Sequence, residues 1–94
     1  MRPVDISRVM FDDEPLNEPL IAALMGSMKA GLDLPAPVVM ELADGQYAIV
    51  DGRDRIEAAK RCGATEFLAY VIEQCGPELF EELRHDLNAH RGSN

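Results

Sequence analysis

The tract Gln46–Gly63 constrains this chain most. Tyr47-Ala-Ile-Val50 is a short apolar run that meets Asp51-Gly52 and passes, with no linker, into Arg53-Asp-Arg-Ile-Glu-Ala-Ala-Lys-Arg-Cys62 before Gly63 closes it. The spacing predicts a strand that turns on one glycine straight into a helix. A helix start carries unpaired N–H groups and the positive end of the dipole. Glycine lets the backbone approach a ligand, and Arg53 and Arg55 add two guanidinium forks. Together these are the chemistry of a phosphate site.

That basic turn stands out because the chain is acidic. Nine basic residues against seventeen acidic ones give a net charge of −8 over 94 residues. Such a surface repels a long duplex, so non-specific DNA binding is not expected, whereas a small anion remains open. The length suits one domain, residues 1–94, with a modest core over 4–72 and a C-terminal helix over 77–90. Apolar runs such as Leu20–Met25 are far short of the ~20 residues a membrane span requires. No apolar signal region opens the sequence, so a cytoplasmic protein is expected. Cys62 and Cys75 fit no metal or redox spacing.

The remaining elements follow from periodicity and breakers. Pro3–Ile6 alternates as a first strand, and Val9–Leu16 reads as an irregular loop with apolar anchors. Glu18-Pro19 opens a helix whose stripe is Leu20, Ile21, Leu24, Met25 and Met28, stopped at Gly31. Leu34–Pro37 breaks the chain, Pro37–Leu42 is a strand, and Asp44-Gly45 is a hairpin turn before Gln46–Val50. In the second helix Ile56 and Ala59 face inward, Ala58 and Cys62 lie near the stripe, and Glu57 and Arg61 share an exposed face. Phe67–Ile72 is nearly continuous in apolar residues, which predicts a strand buried on both faces. Gly76-Pro77 starts a last helix striped with Leu79, Phe80, Leu83 and Leu87. His85 and His90, five apart on it, point to different faces and share no metal. The order β-α-ββ-α-β-α implies an α+β fold, with helices packed on a small mixed sheet.

This order and the tract Tyr47–Ala64 resemble the ParB/sulfiredoxin-like family. There, a strand ends in Gly-x-x-Arg, followed by a helix with paired alanines and a closing glycine. The resemblance runs from about Val4 to Val71 and implies that the turn holds nucleotide phosphates (ATP, ADP or CTP), usually with magnesium. Gly52 and Arg55 match the shared motif, with Arg53 and Asp54 between them. Asp51 matches the acid before the glycine in a branch similar to ADP-dependent free-serine kinases. Met10-Phe-Asp-Asp-Glu14-Pro-Leu16 has the spacing of that branch's catalytic segment, which puts Glu14 forward as a general base and Asp51 as a magnesium or nucleophile-orienting residue. Sulfiredoxins carry a cysteine directly after the glycine where this chain has Arg53, so sulfinic acid reduction is not implied. The kinase branch has histidines where Arg53 and Asp54 stand, and ParB proteins have arginine in place of Asp54. The helix-turn-helix and dimerisation domain that follow in ParB are not expected here.

Each assignment has a plainer counterpart. Arg53 and Arg55 could be surface ion pairs, Asp51 a helix N-cap, and Glu14 one more solvated acid beside Asp12 and Asp13. Asp54 complements the helix dipole, yet it would repel a phosphate at short range. Two functions are therefore expected as alternatives. One is nucleotide binding, with phosphoryl transfer or hydrolysis by positioning and charge neutralisation; the other is a catalytically silent interaction or regulatory module that binds a protein partner. If the first holds, Arg55→Ala is expected to abolish nucleotide-dependent stabilisation without unfolding the protein.

Overall fold

A computed structural model describes residues 1–11 and 15–92, with side chains of the last helix up to residue 87. Five strands and three helices follow one another as β1 (Arg2–Asp5), a 3-10 turn (Ile6–Arg8), β2 (Val9–Met10), α1 (Glu18–Lys29), β3 (Val38–Glu41), β4 (Tyr47–Asp51), α2 (Arg53–Arg61), β5 (Glu66–Ile72) and α3 (Pro77–Gly92). This is the expected α+β order with one addition. Val9–Met10, predicted as loop, pairs in parallel with Tyr47 and Ala48. A two-residue strand is too short to display a period, which is why pattern alone misses it. The apolar anchors are there all the same: Val9 is buried and Phe11 packs against the core.

The strands form one mixed sheet in the order β1-β5-β3-β4-β2. β1 is antiparallel to β5, β5 parallel to β3, and β3 antiparallel to β4. The β3–β4 hairpin turns at Asp44-Gly45, where Leu42 N–H donates to the Gln46 carbonyl at 2.8 Å and the Asp44 carboxylate accepts from Gln46 N–H at 3.0 Å. One face of the sheet carries Val4, Val9, Val39, Tyr47 and Ala69, which pack with Ile56 of α2 as the core. The fully buried Ile21 comes from α1, which lies against α2. The other face carries Met40 and Val50, also buried, because α3 crosses β4 there and Cys75 packs on the Met40 sulfur.

That arrangement corrects several expectations from the sequence. β5 is not buried on both faces: Phe67, Ala69 and Val71 face the core, while Leu68 and Tyr70 are 57% and 53% exposed. α3 covers β4 and stops short of them, and only topology fixes that. Leu20 and Leu79 lie on their apolar stripes yet remain exposed, as does Cys62. Glu57 is buried rather than solvated. Its carboxylate accepts from Arg61 Nε at 3.1 Å, and the same guanidinium grips Glu18 of α1 with both terminal nitrogens, at 2.6 and 2.9 Å. The helical neighbours thus become a clamp between α1 and α2, which draws Glu57 into the contact.

Candidate functional site

The turn from β4 into α2 is built by Gly52. Its φ of +99° lies in the left-handed region, where a side chain is strained. A Cβ there would stand 2.7 Å from the Pro37 Cβ and 2.9 Å from a terminal nitrogen of Arg55. The room left by the missing side chain is therefore filled from within, by Pro37 and Arg55, where the sequence reading reserves it for a ligand. Gly52 is itself the N-cap, and no side chain caps α2. Asp51 remains the last residue of β4 and does not take the capping role that its sequence position suggests.

Arg55 is nine-tenths buried. One terminal nitrogen donates to the Pro35 carbonyl, and the other lies 3.0 Å from the Asp51 carboxylate, whose side chain is 11% exposed. The arginine thus ties the end of β4, the start of α2 and the segment leading into β3. Its Nε is buried and has no hydrogen-bond acceptor among the described residues. Arg53 turns elsewhere and donates to the Pro15 carbonyl at 2.6 Å. The two guanidiniums therefore engage acceptors that flank α1 on either side in the chain. Asp54 sits half-buried in the first turn of α2, and its Oδ1 is buried with no hydrogen-bond partner among the described residues. Glu14 lies outside the described residues.

Beside the turn is a cleft of about 530 Å³, with Met28, Leu32, Pro35, Pro37, Arg55 and Ile56 in its lining. Its walls are mostly apolar, with Arg55 as the cation among them. The prolines of the breaker segment are the contributors that sequence reasoning overlooks. In sequence they mark only an interruption, whereas here Pro37 packs on Gly52 and Pro35 receives Arg55. Among the described residues, no group of three or more His, Cys, Asp or Glu side chains could hold a metal ion. No described helix is long and apolar enough to cross a membrane.

No family model and no curated protein matches the chain. Solved structures do. The C-terminally truncated chromosome-partitioning protein ParB from Caulobacter crescentus, complexed with CTP-γ-S, superposes with a TM-score of 0.79 at 23% identity, over 95% of this chain and 52% of that one. The chain has the ParB-like fold. The same truncated ParB complexed to the centromeric parS site gives 0.64 at 23% identity, over 89% of this chain and 44% of that one. The chain thus spans about half the length of these ParB chains, and at this identity the likeness is one of fold. The element order and the strand-glycine-helix turn that suggested a ParB/sulfiredoxin-like fold are therefore in place. The serine-kinase likeness gains nothing from these matches.

Proposed function

We propose that the turn from β4 into α2 binds the phosphates of a nucleotide, ATP, ADP or CTP, against Gly52, Arg53, Asp54 and Arg55. The observation that carries this reading is Arg55. It lines the cleft and keeps a buried Nε–H without an acceptor among the described residues. A buried unsatisfied donor costs about 1–3 kcal/mol, which a phosphate oxygen reaching the guanidinium would offset. The start of α2, with no side-chain cap, supplies further donors and the favourable end of the dipole. CTP is the first nucleotide to try, since a ParB of the same fold is complexed with CTP-γ-S. A magnesium ion would rest on Asp51 and the phosphate oxygens, a common mode for this ion. Glu14 is the candidate general base for phosphoryl transfer or hydrolysis. In either reaction the protein's part is positioning and charge neutralisation.

Thermal melts with ATP, ADP, CTP and GTP, each with and without magnesium, test this. A ligand at a hundred times its dissociation constant stabilises by about 2.7 kcal/mol. At least one nucleotide should shift the midpoint, and Arg53→Gln should shrink that shift. No shift with any of the four would refute the reading.

A second reading rests on the internal acceptors of both arginines, at Pro15, Pro35 and Asp51. It makes the domain a catalytically silent interaction or regulatory module. Co-purification of a protein partner with no bound nucleotide would favour it.

A further inference from the structure

We infer that the sheet face formed by β1 and β5, on the side away from α1 and α2, docks a basic amphipathic helix of a partner protein. It does not rest on the nucleotide reading, although Leu68 also borders the cleft beside Arg55. Leu68 and Tyr70 project from that face side by side, each more than half exposed, and Pro3 lies opposite Leu68 on β1. α3 packs over β4 on the same side and leaves these two strands uncovered. Neighbouring strands are about 4.8 Å apart and a helix is about 10 Å across, so the open strip has the width of one helix.

The charges on the strip select the partner. Asp5 and Glu66 stand directly opposite each other in the β1–β5 register, and like charges so placed destabilise a sheet. Asp5 accepts from Ser7 N–H and Oγ–H, which hold its carboxyl below the usual aspartate range and keep it ionised. The one cation in these two strands, Arg2, belongs to the opposite face, where it pairs with Glu41 at 2.8 Å. A second copy of this chain would bring acid against acid. Strand addition at the β1 edge is disfavoured because Pro3 has no N–H to give. A helix with leucine-like anchors and lysine or arginine at one end satisfies both the apolar strip and the acidic end at Asp5 and Glu66.

Amide chemical-shift mapping on the full chain decides this, using a model Leu/Lys amphipathic helical peptide and its Leu/Glu counterpart. The Leu/Lys peptide should perturb Val4, Asp5 and Glu66–Tyr70, and bind at least ten-fold tighter than the Leu/Glu peptide. Leu68→Lys/Tyr70→Lys should weaken it at least ten-fold, and Glu66→Lys, which leaves the apolar strip intact, should weaken it several-fold. Three outcomes would each overturn the inference: shifts confined to the acids of α3, equal binding of the two peptides, or self-association through this face in a sedimentation series.

Discussion

The pair Arg55–Asp51 offers the most direct test of how this site is built. Both side chains are about nine-tenths buried, 3.0 Å apart, at the junction of β4 and α2. Removing one member of a buried ion pair costs about 3–5 kcal/mol, because the other charge stays behind in a poor solvent. A chain of this length has roughly 5–14 kcal/mol of stability in total, at about 0.05–0.15 kcal/mol per residue. Arg55→Ala should therefore lower the melting midpoint by on the order of 10–30 °C. This reverses the expectation, drawn from sequence, that the substitution leaves the fold intact. Arg55→Met keeps the aliphatic stem, and Arg55→Met/Asp51→Asn removes both charges. Urea denaturation of the two single variants and the double should show a double loss smaller than the sum of the singles, by about 0.5–3 kcal/mol. If Arg55→Met alone costs less than about 1 kcal/mol, or the losses simply add, the pair is not the tie described here. The consequence for function is practical. Lost nucleotide response in Arg55→Ala would report folding as much as binding, so Arg53 is the better probe.

Two other perturbations test neighbouring parts of the structure. Gly52→Ala combines a left-handed backbone, about 1–2 kcal/mol, with overpacking against Pro37 at 2.7 Å, about 1–3 kcal/mol. Its loss in urea should be roughly 2–5 kcal/mol, and a loss below about 1 kcal/mol would mean the turn relaxes freely. The carboxyls of Glu18 and Asp5 are both held below their ordinary values, Glu18 chiefly by its hydrogen bonds from Arg61 and Asp5 by those from Ser7. A depressed carboxyl stabilises the fold above its unfolded pKa and loses that contribution as pH falls through its folded pKa. Wild-type stability should therefore drop below about pH 4.5 more steeply than that of Glu18→Gln or Asp5→Asn; parallel acid curves would show that these contacts do not persist in solution.

Much of the architecture is legible locally. Gly31, Gly45, Gly52 and Gly63 sit where the chain reverses or stops, and Gly63 follows α2 with its own N–H donating to the Lys60 carbonyl at 3.1 Å. The inward positions Ile21 and Ile56 follow from helical spacing and are buried, whereas Ala59, expected inward, is half-buried and its neighbour Ala58 is the one fully enclosed. Position also singles out Gly52 and Arg55, because few local contexts place a glycine and two arginines between a strand and a helix. What Arg55 touches is not legible, since Pro35 lies twenty residues away and only the packing of its segment beside α2 makes it an acceptor.

The order of elements and the location of the turn are local properties of the chain, because both arise from interactions within a few residues: periodicity, glycine backbone freedom and chain breakers. Long-range packing sets which way each feature points. It turned the open side of Gly52 toward Pro37, made Arg55 a buried tie, drew Glu57 inward beneath Arg61, and left Leu68 and Tyr70 uncovered. Each of these depends on which distant segment lands alongside, and that is set by the global packing of the sheet and its helices.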